Sequence, residues 1–416
     1  MTGQPATPSL VRAINLRTTF DVVHAGGSLG APEVVRQTGL SRPTVADCLS
    51  QLLGLGLIRR SGRARGLPGP GAQLYEVEPR AGWVLGLDVG RRWVRAALSN
   101  FTGATVATAA APTSDATPET LITQLHQMSE RLTLDAGVDL DAVDQVVLGT
   151  PGVIRPGETH FSLAPNLPGW ESPEVVDEIR EALAAPVAFE NDINLAAIGE
   201  EVAGVARGVR DFVVISIGTG VGMGVVLDGE VRHGAGGLAG EIAYLTLDLD
   251  RSPAAPAPAW GAGAFESLVS AGAILALARA QGRETVRSAA DVFALTRAGD
   301  TAAAEVVGTV ARRLAHGIAA VAAVLDPELV VLGGGVGSGA GDLLVPRIIE
   351  ALAAISPFSP RLAVSNLGAD AVLTGAAAMG LRLAIDRVFE RSDASPRGVL
   401  APSWRTGRAV GAGVGR

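Results

Sequence analysis

The sequence contains no lysine: all 34 of its basic residues are arginine. That absence removes Walker-type phosphate binding, Schiff-base chemistry and a lysine general base. Cysteine is nearly absent too, and Cys48 alone forms neither an intrachain disulfide nor a thiolate metal cluster. The five histidines, His24, His126, His160, His233 and His316, are scattered without a pair at ligand spacing, so no metal site is expected. The start of the chain lacks the basic, apolar and small-residue succession of a signal peptide. The uncharged apolar run Phe212 to Leu227 has 16 residues broken by four glycines, too short to span a bilayer. A soluble cytoplasmic protein is expected.

What is present is a folded chain of some size. The 416 residues suit two or three domains at roughly 100 to 200 residues each, and 48% hydrophobic against 18% charged residues is far from a disordered composition. The net charge of -8 is unevenly placed. Residues 1–80 carry nine Arg against five acids, a local +4, and leave 25 Arg against 37 acids for the rest. A basic head on an acidic body suggests that the head faces nucleic acid.

The head reads as short helices. Leu10, Ile14 and Leu16 begin one, Pro32 opens a second that Gly39 stops, and Ser41 is placed as the N-cap of a third with Pro43 in its first turn. In the third, Val45, Leu49, Leu52 and Leu53 form one apolar stripe, while Arg42, Thr44, Asp47, Ser50 and Gln51 fall on the other face. This is the pattern of a helix-turn-helix whose recognition helix enters a major groove. Leu57-Ile58, a Gly- and Pro-rich basic turn holding Arg59, Arg60, Arg63 and Arg65, and Gln73 to Val77 follow as strand, tip and returning strand, the shape of a wing. DNA contacts are therefore expected at Ser41, Arg42, Thr44, Ser50, Arg59, Arg60, Arg63 and Arg65. Asp47 stands against this, since it repels phosphate unless it accepts from a cytosine amine or turns away. A solvated loop beside a protein-interaction module is the plainer alternative.

From Trp83 the texture becomes apolar strands alternating with helices, an α/β pattern. Strand-turn-strand units fall at Trp83–Leu98 and Phe212–Leu227, and strands ending in glycine loops at Val146–Val153 and Leu329–Val336. Such loops let backbone approach a ligand closely. The alanine-rich stretch Ala302 to Val324 reads as a core helix.

These phrases carry a resemblance. GLDVG from Gly86, APNLPGW from Ala164, FENDINLAAIGE from Phe189, SIGTGVGMGVVLDGEV from Ser216, GAGGLAGEI from Gly234 and DPELVVLGGGV from Asp326 are similar, in order, to the ROK family of repressors, open reading frames and sugar kinases. With the winged head, the chain resembles the repressor branch. The resemblance implies a two-lobed actin-like ATPase fold with sugar in the cleft and, in kinase members, ATP beside it. It implies sugar contacts at Asn191, Asp192, Glu241 and Glu266, with Tyr244 and Asn166 as further candidates, and makes Asp192 the position of the kinases' general base. Helix capping is the alternative role of Asn191 and Asp192, which precede the run Leu195 to Glu201.

Two departures stand out. Kinase members follow the first Asp-x-Gly with Gly-Thr, whereas Asp88-Val89-Gly90 is followed by Arg91 and Arg92, bulky where a phosphate meets bare backbone. The family's zinc site uses a histidine where Tyr244 stands and three cysteines where Arg251 to Glu266 has none. No cofactor is therefore expected, with Pro253, Pro256, Pro258 and Trp260 stiffening that loop in the metal's place. The resulting expectation is a winged helix-turn-helix domain over 1–80, a first lobe over 81–195 completed by about 372–390, a second lobe over 196–371 and a flexible tail over 391–416. Its function is expected to be that of a transcriptional repressor responsive to a small sugar or sugar phosphate, not an enzyme, acting as a homodimer or higher oligomer on operator DNA. Sugar binding is expected to reach the heads through Val77 to Trp83. The alternatives are a sugar kinase with an appended DNA-binding head and a ligand-free DNA-binding dimer.

Overall fold

The computed structural model describes residues 8–64, 72–114, 117–152, 154, 160–162, 167, 169–247 and 263–391. The head begins with α1 (Pro8–Gly26), β1 (Leu29–Gly30), α2 (Ala31–Thr38) and α3 (Arg42–Gly54), and closes with β2 (Ile58–Arg63) and β3 (Gln73–Val77). Gly39 ends α2 in the left-handed region at φ 71°, and the Ser41 side chain accepts from the Thr44 backbone N–H to start α3. Val45, Cys48, Leu49 and Leu52 are buried, so the expected stripe faces the core, while Leu53 lies at its margin. The three strands form a sheet in the order β1-β3-β2. Arg59, Arg60 and Arg63 sit within β2 rather than in the turn where sequence placed them, because pairing with β3 continues to Arg63↔Gln73 past an irregularity between Arg60 and Gly62.

The body contains the same five-stranded sheet twice. The first follows β4 (Trp83–Val89), β5 (Trp93–Asn100), β6 (Thr105–Pro112), α4 (Pro118–Asp135), β7 (Gln145–Thr150), α5 (Val175–Leu183), β8 (Val187–Asn191) and α6 (Asp192–Val202). The second follows β9 (Phe212–Ile217), β10 (Val221–Leu227), β11 (Glu230–Val231), α7 (Glu266–Val269), α8 (Ala271–Ala280), α9 (Ala289–Arg297), α10 (Thr301–Leu325), β12 (Leu329–Gly333), α11 (Gly334–Gly339), α12 (Gly341–Ile355), β13 (Arg361–Val364) and α13 (Ala371–Arg391). Strand orders are β6-β5-β4-β7-β8 and β11-β10-β9-β12-β13, each with an antiparallel meander on one side and parallel strands on the other. The central strands β4, β7, β9 and β12 are buried almost throughout, as continuous apolar runs with helices on both faces must be.

The terminal helix of each repeat crosses to the other sheet. α6 follows the first sheet in sequence yet packs on β9 and β10, and α13 follows the second sheet yet packs on β4 and β7. The expected lobe boundary at 195 falls inside α6. Where α6 and α13 meet, glycine allows near-contact of backbones: a Cβ on Gly375 would lie 1.8 Å from the Leu195 carbonyl oxygen, and one on Gly199 2.2 Å from that of Ala371. α13 also reaches the head. Leu381, Ala384, Ile385 and Phe389 share one core with Leu16, Phe20 and Val23 of α1 and with Val84 and Phe101 of the first sheet.

α10 and α13 are long and apolar enough by composition to cross a bilayer, each with charged residues within its span. Both are built into the body, α10 with one face in the core of the second lobe and α13 between the first sheet and α1. Arg65, Asn166, the Pro253–Trp260 stretch and the expected tail beyond residue 391 lie outside the described residues.

Candidate functional site

A cleft of about 480 Å³ opens between the lobes. Its walls are loops at the C-terminal ends of parallel strands: Gly90 and Arg91 after β4, Pro151 and Gly152 after β7, Asn191 and Asp192 at the β8–α6 corner, and Gly218 to Gly222 after β9. This is where doubly wound sheets bind ligands, because backbone N–H groups and helix N-termini converge there. The segment Gly237 to Tyr244 and Glu266 of α7 complete the rim.

The structure brings Asn191, Asp192, Glu241, Tyr244 and Glu266 to this one cleft. Asn191 also caps α6: its Oδ1 accepts from the Ile193 N–H at 3.1 Å, and its Nδ2 donates to the Gly152 carbonyl at 3.2 Å. Each end of its amide thus makes one bond, with a second N–H and a second oxygen lone pair left for a ligand, and Asp192 beside it lines the cleft with its carboxylate held by the Ile193 backbone N–H. Burial pushes the Asp192 carboxyl up. Glu241 is raised by burial and by the nearby Asp192 and Glu266, and the Tyr244 hydroxyl by burial and by Glu241 and Glu266. Glu266 Oε2 accepts from the Val221 N–H at 3.0 Å, which ties α7 to the start of β10. Gly240, at φ 93°, lets Glu241 approach: a Cβ there would lie 1.8 Å from the Met223 carbonyl oxygen. Such a ring of acceptors suits the hydroxyls of a polyol.

Three further residues stand in or beside the cleft. Asp88, at the end of β4, is pushed up to about 7 by burial and by Asp192, against the pull of Arg95 at 3.2 Å. Arg91 lines the cleft mouth with an exposed guanidinium. Glu190 bonds Asn191, Asn194 and His233 at 2.9, 2.9 and 2.8 Å. The first two stood in quoted motifs, GLDVG and the Arg-Arg departure, and Glu190 stood beside the Asn-Asp pair.

The residues present do not fit the zinc of the family's metal-bearing members. Tyr244 offers a phenol where an imidazole ligand would stand, and the sole cysteine, Cys48, is buried in the head. Among the described residues no three His, Cys, Asp or Glu side chains converge as a metal site.

In the head, Ser41, Arg42, Ser50, Arg59, Arg60 and Arg63 are exposed and Thr44 is half-buried. Asp47, the residue that argued against a groove contact, accepts from Gln51 Nε2 at 2.7 Å. Arg59 is engaged too, with its guanidinium 2.8 Å from Glu76 across the hairpin. Arg42, Arg60 and Arg63 have no such pairing among the described contacts.

Comparison with known proteins agrees with this architecture. The ROK family profile matches residues 84–382. The chain belongs to the ROK family. A second profile, the IclR helix-turn-helix domain, matches residues 22–62, from the end of α1 into β2. A glucokinase from Halalkalibacterium halodurans is 32% identical to this ROK chain over 314 residues, covering 70% of this chain and 93% of its own. A putative xylose repressor from a Caldicellulosiruptor species is 25% identical over 388 residues, covering 89% and 96%. The crystal structure of a ROK family transcriptional regulator, a homolog of the E. coli MLC protein, superposes with a TM-score of 0.75 at 23% identity over 91% of this chain and 99% of its own. That match extends the shared fold beyond the ROK body to the winged head.

Proposed function

We propose that this ROK protein is a sugar-responsive, DNA-binding transcriptional repressor whose kinase-like body serves as the effector sensor. The observation that carries the reading is the core shared by the helix-turn-helix head and α13, the helix that meets α6 between the lobes and lines the cleft at Val372. The match to xylose repressors over nearly the whole chain supports the same reading. In it, 1–80 is the DNA-binding unit, and Asp192, Glu241 and Glu266, with Asn191, Tyr244 and Asn166, contact a sugar. Arg42, Thr44, Ser41 and Ser50 face the groove, and Arg60, Arg63 and Arg65, with Arg59, face phosphates. Two copies acting together reach two half-sites.

In this reading the coupling runs through α13, which packs on the head, beside the Val77–Trp83 connection that joins head and body in the chain. Closure of a sugar between the sheets rotates α6 against α13, and the head, built onto α13, follows. A tenfold change in operator affinity needs only about 1.4 kcal/mol of differential binding between open and closed states. The test is retardation of duplex from the gene's own upstream region, with and without D-xylose or D-glucose, alongside thermal shift with the same sugars. No retardation at low salt would sink the reading.

A sugar kinase is the second reading, favoured by the glucokinase similarity and by an Asp192 whose raised carboxyl suits a general base. Arg91 at the cleft mouth weighs against it. Sugar-dependent ADP release that disappears in Asp192→Asn would favour the kinase.

A further inference from the structure

Glu190 is at the centre of a connection that the sugar-contact residues do not explain. One carboxylate oxygen accepts from the Asn191 N–H and from Asn194 Nδ2, both at 2.9 Å, and the other meets His233 Nε2 at 2.8 Å. The first two bonds brace the β8–α6 corner, which presents Asn191 and Asp192. The third reaches a different lobe. His233 lies just past β11, and its carbonyl accepts from the Ala239 N–H at 3.0 Å, closing the loop that runs from Gly234 to Glu241. The other end of that loop is held where the Gly240 carbonyl accepts from the Met223 N–H at 3.0 Å.

We propose that Glu190 and His233 form a latch holding the two halves of the effector site together, closed while His233 is protonated and looser when it is neutral. Both are positioning residues, since neither lines the cleft. The short contact itself favours a charged pair. Glu201 of α6, Glu230 of β11 and Arg382 of α13 line the pocket beside the pair, and Glu190 is the charged group that acts on the imidazole. The neighbouring Arg232 turns away, donating to the Leu227 carbonyl and to Asp228. The bond to Glu190 raises the His233 imidazole above its ordinary value, while burial opposes this. The pair's contribution is therefore complete below the ordinary histidine range and is lost as pH rises through the elevated value.

The latch rests on the sugar-sensor reading for its ligand and on this geometry for itself, and the experiment separates the two. Hydrogen exchange of the full chain would compare wild type, Glu190→Gln and His233→Gln at a pH of about 5.5 and about 8.5, on either side of the histidine range. Glu190→Gln keeps the acceptor and loses the charge; His233→Gln keeps a donor and loses the titration. At the lower pH, both variants are expected to exchange several-fold faster than wild type in segments 187–195 and 233–241 together. At the higher pH the differences shrink. A difference confined to 187–195, or equal at both pH values, overturns the latch. Calorimetry with D-xylose and with D-glucose supplies the second arm: wild-type affinity should fall about three- to tenfold further over the same rise in pH than that of His233→Gln, which keeps only the titration of Asp88, Asp192 and Glu241. Coupled exchange without binding of either sugar leaves the latch standing and counts against the sugar reading. Binding with the same pH profile in wild type and His233→Gln defeats the latch and leaves the sugar reading intact.

Discussion

Arg17 in the first helix and Asp386 in the last meet at 2.7 Å, although 369 residues separate them in the chain. Around this pair, the Phe20 and Phe389 rings stand edge-on at 5.6 Å, and the Arg17 guanidinium lies 5.4 Å from the Phe389 ring. The head is thereby packed onto α13 as well as joined to the body by the chain between β3 and β4. Arg17 also contacts Asp21 at 2.8 Å, so one guanidinium serves an intrahelical and an interdomain carboxylate.

A double-mutant cycle on Arg17→Ala and Asp386→Ala should give a coupling of about 1 kcal/mol in urea unfolding, the scale of a partly buried ion pair. Each single variant should also weaken the effect of sugar on operator affinity while leaving sugar binding itself unchanged. Full retention of that response would mean that the head does not report on α13.

The wing arginines should separate by their partners. Arg60→Ala and Arg63→Ala should each lower the salt dependence of operator binding by about one phosphate contact and weaken all sequences alike. Arg59→Ala should do less, because Glu76 already holds its guanidinium at 2.8 Å. Affinities measured across a salt series decide it. An effect of Arg59→Ala equal to that of Arg60→Ala would mean that the Glu76 pair opens on DNA.

Much of this was legible in the sequence. Local chemistry announced the Ser41 cap, the Gly39 stop and the glycine turns after β4 and β9, since each depends on neighbours within a few residues. Motif order grouped Asp192, Glu241 and Glu266, and the three line one cleft. What stayed hidden depends on distant partners. Nothing near Glu190 names His233, and nothing near Arg17 names Asp386. The crossing of α6 and α13 is likewise silent, because an Ala- and Gly-rich helix has the same local pattern whichever sheet it packs on. Asn191 was readable as cap or as sugar ligand, and its bond to Ile193 realises the cap.

Asp88 makes stability depend on pH. Its folded value, about 7, lies above the unfolded 3.8, so its contribution is complete below about 3.8 and is lost as pH rises through about 7. Asp88→Asn keeps an acceptor for Arg95 and cannot ionise. Its stability relative to wild type should therefore rise across that window, on the order of 1.4 kcal/mol per pH unit and levelling off above it. Urea unfolding at a series of pH values tests the sign; a variant that loses ground as pH rises would contradict it.

The α6–α13 crossing gives the sharpest contrast between two identical substitutions. At Gly375 the obstacle to a Cβ is the Leu195 carbonyl oxygen at 1.8 Å, which is backbone and cannot swing aside. Gly375→Ala must push the helices apart, at a cost of about 1–3 kcal/mol or more. Gly308 lies inside α10, where a Cβ would meet only the Arg312 guanidinium at 3.5 Å, an ordinary contact at the end of a flexible side chain. Gly308→Ala should stabilise by up to about 1 kcal/mol through helix propensity. Melting temperatures should move in opposite directions, by roughly 2–4 °C per kcal/mol in a body of this size. Because the head is built onto α13, Gly375→Ala should also shift operator affinity without sugar, whereas Gly308→Ala should not. A Gly375→Ala protein with wild-type melting and wild-type operator binding would show that the helices can separate freely, and the route from cleft to head would then have to lie elsewhere.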